Sequence, residues 1–82
     1  MTDIEIEYCV PCSLLDNATE TQQSLLEEYG QDLDTVSLKR GYGGVFEVRV
    51  DERLVYDKNE REEGYDLESV RSAVDETVSR PA

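Results

Sequence analysis

Apolar and charged residues alternate at the start of the chain, with Ile4, Ile6 and Tyr8 separated by Glu5 and Glu7. A period of two predicts a strand with one buried face and one wet face. From Ser13 to Tyr29 the period lengthens. Leu14, Leu15, Ala18, Leu25, Leu26 and Tyr29 share one helical stripe, while Asp16, Glu20, Gln23, Glu27 and Glu28 fall largely off it. Gln22 lies on or beside the stripe and marks a semi-exposed patch. Gly30 follows as the expected C-terminal stop, where a left-handed residue is wanted.

Leu33, Val36 and Leu38 stand in a polar run, read as a second strand near 34–39. Three glycines in Gly41-Tyr42-Gly43-Gly44 then predict a loop with backbone angles that side chains forbid. Alternation resumes over Val45–Val50, with Phe46, Val48 and Val50 toward the core. Asp51-Glu52-Arg53 turns the chain, and Leu54–Asp57 returns as the hairpin partner. Asp-Glu is not the Asn-Gly type of tight hairpins, so a looser turn or a bulge is expected. A charged loop, Lys58–Gly64, precedes Asp66, a candidate N-cap. Leu67, Val70, Val74 and Val78 then mark a final helix that Pro81 stops.

The element order is βαβββα, in one domain over residues 1–82, with neither repeat nor linker. A helix joins the first two strands, so they are expected to lie parallel through a right-handed crossover. The last two form an antiparallel hairpin. The fold class is α/β (α+β): a two-layer sandwich, its mixed four-stranded sheet covered on one face by two helices.

Charge narrows the function. Twenty Asp and Glu stand against eight Lys and Arg, with no His, a net charge of −12. Such a chain repels phosphate backbones and anionic membranes, so neither nucleic acid nor membrane is an expected partner. The carboxylates read first as a solvated surface. Within that reading, a salt-rich cytoplasm suits them, because counterions screen the self-repulsion. A melting temperature that rises from low salt to molar KCl is the expected sign; an unchanged one opposes it. Disorder is the competing account of acidity, and the ordered periodicity speaks against it. At 82 residues only about 60% of the unfolded surface can be buried, leaving no room for a large cofactor cavity. Met1-Thr2-Asp3 shows no basic region or apolar run, and no stretch has membrane-spanning length. The expected location is the cytoplasm, where stable structural disulfides are uncommon, and the expected state is a monomer.

The candidate chemistry is Tyr8-Cys9-Val10-Pro11-Cys12, which holds both cysteines of the chain. Cys9 falls where the strand ends, and Cys12 is expected in the first helical turn. Unpaired amides at a helix start stabilise a thiolate, the reactive form. Nearby carboxylates oppose that effect, so a modest depression of thiol pKa is expected. Pro11 suits an early helical position and stiffens the link between the sulfurs. Four readings compete. A structural staple contributes only about 2 kcal/mol at this loop length. A zinc site needs four ligands, and this motif supplies two. Two inert buried cysteines are the third. Thiol–disulfide exchange is favoured, because the motif lies between a strand and a helix.

The same residues, with Gly44-Val45-Phe46-Glu47-Val48-Arg49-Val50, Leu54-Val55-Tyr56-Asp57-Lys58 and Gly64, resemble the SelW/SelT/SelH (Rdx) family of small thioredoxin-like selenoproteins and their cysteine homologues. The resemblance runs from Ile4 to about Val78 in matching order. It implies a thioredoxin-like fold and a thiol redox role, with Cys9 and Cys12 as the catalytic pair. Often the family has selenocysteine at the second motif position, which makes Cys12 its counterpart. General thioredoxin logic instead makes Cys9 the attacking thiol. Cys9 is taken here as the more exposed of the two. The chain departs from these relatives at several points. Gly43-Gly44 stands where thioredoxins carry a cis-proline, Glu52 where SelW-like chains usually have Gly, and Tyr56 where His is common. Tyr42 is a candidate flank for a partner peptide or a loop tyrosine without a role, and Phe46 is expected in the core. The expected function is exchange of a Cys9/Cys12 dithiol with protein or low-molecular-weight thiols and disulfides, using no metal or organic cofactor. The alternative is a redox-sensing binding module without turnover.

Overall fold

The structure is a computed structural model, and it describes residues 2–11, 14–60, 62 and 64–78. The strands are β1 (Asp3–Cys9), β2 (Thr35–Gly41), β3 (Phe46–Val50) and β4 (Arg53–Asp57), and the helices α1 (Leu15–Tyr29) and α2 (Leu67–Thr77). They form one mixed sheet in the order β2-β1-β3-β4. β1 runs parallel to β2 and antiparallel to β3, which pairs antiparallel with β4. The expected βαβββα order and mixed sheet are present.

Alternation in β1 decides which face is covered. Ile4, Ile6 and Tyr8 are buried with Val48, Val50 and Phe46, whereas Glu5 and Glu7 are only partly covered. α1 packs on β1 and β2, α2 on β3 and β4. Tyr29 of α1 donates to Asp75 Oδ1 of α2 at 2.8 Å, tying the helices side by side over the same face. On the helix-free face Arg49 bonds Glu47 at 2.6 Å and meets Glu7 at 3.4 Å. The hydrogen bond that Arg49 donates to Glu47, with the charges of Glu47, Glu7 and Glu5, raises the Arg49 pKa further, against partial desolvation.

Several local expectations are corrected. α1 begins at Leu15, with Leu14 accepting its first intrahelical bond from the Ala18 amide. Leu15 and Leu26 are exposed, and Thr21 takes the buried place instead. Its hydroxyl pairs inward with the Asn17 carbonyl and the Tyr65 hydroxyl, so its polar atom is satisfied. Gln22 is semi-exposed as expected, and its Nε2 donates to the Val36 carbonyl at 2.7 Å. Gly30 is not left-handed: with φ −20° it leads into a single 3-10 turn, Gly30–Asp32. β2 reaches Gly41 because its parallel ladder follows β1 to the end. Asp66 holds the N-cap position of α2 without capping an amide, since its carboxylate accepts the Ser69 hydroxyl. Pro81, the expected stop, lies outside the described residues.

The hairpin turn is tight. Val50 pairs with Arg53 across Asp51 and Glu52, both at positive φ (51° and 73°). This is the left-handed pair of angles that a two-residue hairpin needs. The expected bulge occurs farther along: Arg49 opposes Leu54 and Val48 opposes Tyr56, which leaves Val55 as the extra residue.

Candidate functional site

Cys9 is the last residue of β1, an interior strand with neighbours on both sides. Its amide donates to the Val45 carbonyl at 2.7 Å, and the next amide, Val10, donates to Gly41 at 3.0 Å. The backbone at the cysteine is therefore gripped from Val45, just before β3, on one side and from β2 on the other. Gly41 opposes Cys9 in the ladder, and a β-carbon there would lie 2.6 Å from Val45 Cγ1 and 3.0 Å from Glu7 Oε2. Only glycine fits this close approach. Gly43 and Gly44 take positive φ, and the space where their side chains would stand is open. Asn59 Nδ2 reaches the Gly44 carbonyl at 3.4 Å, connecting the loop to the 3-10 turn Lys58–Glu60.

Cys9 has no exposed surface, and its sulfur is held in a disulfide. That corrects the expectation that Cys9 is the more exposed, outward-facing thiol: at the end of an interior strand it is closed over. Cys12 lies outside the described residues. The peptide around the motif is open, with Val10 41% and Tyr42 71% exposed and Pro11 exposed. The Val10–Gly41 bond sets the Val10 backbone against the start of the loop that carries Tyr42, and both side chains are exposed.

Phe46, fully buried as expected, starts β3 just after Val45 and meets two rings edge-on: Tyr65 at 5.0 Å and Tyr56 at 6.3 Å. Tyr56 donates to the Gly64 carbonyl and accepts from the Asp66 amide, so it fastens the segment entering α2. Burial pushes the Tyr65 hydroxyl pKa above its ordinary value. The Thr21 hydrogen bond acts against this shift, and the charges of Glu20, Tyr56 and Asp66 add to it. Two features were not read from the sequence: the Gly41–Val45 contact over the strand end and the Thr21–Tyr65 bond. Loop glycines hint at the first; a helix stripe that skips from Ala18 to Leu25 hints at the second.

A mixed sheet in this order, two helices on one face and a cysteine closing an interior strand define a thioredoxin-like α+β fold. Residues 3–76 match the model of the Rdx family, and the chain belongs to that family. Among solved structures it is similar to a protein from Bordetella parapertussis, at 31% identity and a TM-score of 0.83, covering 93% of this chain and 96% of that one. It is also similar to a selenoprotein W-related protein from Vibrio cholerae, at 23% identity and a TM-score of 0.85, covering 95% and 98%. No curated protein matches it. Family and fold support a redox-type function. Among the described residues no helix is long and apolar enough to cross a membrane.

Proposed function

We propose that the chain is a thiol–disulfide exchange protein whose dithiol is Cys9 and Cys12, acting in the cytoplasm as a monomer on protein or low-molecular-weight disulfides. The observation that carries this reading is the disulfide-bonded, fully buried Cys9 at the end of an interior strand in a member of the Rdx family. The chain has one other cysteine, Cys12, three positions on, and these two form the proposed redox pair.

The burial of Cys9 supports one division of roles. A sulfur without exposed surface does not open the attack on a large partner, so in this reading Cys12 is the nucleophile and Cys9 the resolving thiol. In the reduced protein, Cys12 thiolate attacks one sulfur of the partner's disulfide. The Cys12–partner bond forms, the partner's sulfur–sulfur bond breaks, and the first partner thiolate leaves. Cys9, as thiolate, then attacks Cys12 Sγ, forming the Cys9–Cys12 disulfide and releasing the second thiolate. The partner gains two electrons, the dithiol loses two, and an external dithiol or two thiols restore it.

Cys9→Ser tests the assignment. This variant should accumulate mixed disulfides through Cys12 and lose catalytic disulfide reduction by at least about 100-fold, since the resolving step is gone. Cys12→Ser should trap nothing, because the remaining thiol is covered. Trapping by Cys12→Ser and not by Cys9→Ser reverses the roles. A native protein that forms the disulfide yet turns over no substrate supports the sensor alternative instead.

A further inference from the structure

We propose that the outer edge of β4 and the groove beside it form a docking site for a basic, extended segment of a partner protein, which adds to the sheet as a fifth strand. The sheet has two edges, and they differ. β2 is guarded: Gln22 of α1 donates to the Val36 carbonyl, and the exposed Lys39 and Arg40 set charge along the strand. Charged residues and side-chain covers of this kind block unwanted pairing. β4 has exposed Leu54 on its edge and half-buried Val55 next to it.

An open groove of about 650 Å³ runs between β4 and α2, floored by Leu54, Val55 and Ala73 and rimmed by Glu68, Ser72 and Glu76. A smaller one, about 270 Å³, continues it along β4 past Asp57 to Glu60. Together they follow the strand's whole length. The α2 wall contributes small residues, which let another backbone come close. Edge-strand pairing uses main-chain bonds for affinity and flanking side chains for selection.

Charge identifies the occupant. Glu68, Glu76, Asp57 and Glu60 line the two grooves against a single cation, Arg53, among the described residues. The chain's net charge of −12 has the same sign. Local and long-range fields therefore both favour a cationic segment. A second copy of this chain would set acid against acid along the edge. The Val55 bulge shortens the ladder that an added strand can form, so side-chain charge carries much of the selectivity.

The test uses the full chain and three seven-residue peptides: alternating Lys and Val, alternating Glu and Val, and the Lys–Val peptide N-methylated at alternate amides. Amide NMR titration should show the Lys–Val peptide shifting Arg53–Asp57 and the α2 residues facing them. The Glu–Val and N-methylated peptides should bind at least about tenfold more weakly, a difference of about 1.4 kcal/mol. The exposed pair Glu68→Lys and Glu76→Lys should weaken Lys–Val binding about tenfold. Glu20→Lys with Glu27→Lys on α1, the same change in net charge, should weaken it less. Equal weakening by the two pairs would reduce the effect to general attraction and overturn the proposal. So would shifts confined to other surfaces, undiminished binding after N-methylation, or a dimer joined through β4. None of these outcomes bears on the dithiol chemistry, which is read separately through Cys9→Ser.

Discussion

The two ends of β1 are closed by different means. At the Asp3 end the closure uses side chains: Asp51 Oδ1 accepts the Asp3 amide at 2.9 Å, and Asp3 Oδ1 accepts the Thr35 hydroxyl at 2.9 Å. The Asp51 amide returns a bond to the Asp3 carbonyl at 2.8 Å. This latch holds a hairpin turn whose two non-glycine residues both sit at positive φ. At the Cys9 end backbone bonds from Val45 and Gly41 hold the strand beside the Cys9 disulfide, and glycines supply the left-handed angles of the loop. Val10 and Tyr42 are exposed there. One end bears backbone strain and offsets it with hydrogen bonds. The other avoids strain and leaves open space around Gly43 and Gly44.

The largest effect on this contrast comes from giving the Cys9 end a side chain it lacks. Gly41→Ala puts a methyl 2.6 Å from Val45 Cγ1, with Glu7 Oε2 and Cγ at 3.0 and 3.1 Å on the other side. Glu7 can swing away, but Val45 carries the carbonyl that holds the Cys9 amide. Overpacking of this kind costs about 1–3 kcal/mol. Denaturant unfolding should show that loss, and amide exchange should show the Cys9 and Val10 amides losing protection before those of Ile4 and Ile6. Uniform loss along β1 would mean that the two ends are not separately closed.

At the Asp3 end the expected effect is smaller and opposite in sign. Glu52 has φ 73°, an angle that costs a residue with a β-carbon and costs glycine nothing. Its side chain is exposed and forms no hydrogen bond or ion pair among the described residues. Glu52→Gly should stabilise the fold by roughly 0.5–1 kcal/mol, because relief of strain outweighs the added freedom of the unfolded chain. A raised midpoint in urea with an unchanged slope is the expected result. A lower midpoint would mean that the latch, not the turn angle, sets stability there.

These two sites also show what was legible in advance. The strands and helices followed from period, since one face of each had to be buried: Ile4/Ile6/Tyr8 and Leu67/Val70/Val74/Val78 allow no other register. Element ends were less legible. α1 was expected to begin at Ser13 because Leu14 and Leu15 extend the stripe, yet the helix begins at Leu15, which faces solvent, and Leu14 packs against the core from the position before it. Thr21 was missed because its burial depends on Tyr65, 44 residues away, satisfying its hydroxyl. The cysteine motif was legible as chemistry, whereas the burial of Cys9 was not. That depends on β2 and on Val45, just before β3, both bonding at the strand end, a long-range pairing that no local pattern encodes.

The smallest effect is a pH dependence, and it sharpens the comparison because it belongs to one end only. Tyr65 packs edge-on against Phe46, which follows the glycine loop and Val45, and its folded-state pKa is raised above the ordinary 10.0, chiefly by burial. A raised pKa means that folding favours the protonated hydroxyl. The associated stability is fully present below the unfolded pKa of about 10 and is lost as pH climbs through the higher folded value. Tyr65→Phe removes this titration together with the Thr21 bond. The variant should be less stable than the native chain at neutral pH, and the gap should narrow as pH rises above 10. Denaturant midpoints at pH 7, 9, 10 and 11 check it. A gap that stays constant would show that Tyr65 ionises as freely folded as unfolded, leaving packing against Phe46 and the Thr21 bond as its contributions to the Cys9 end.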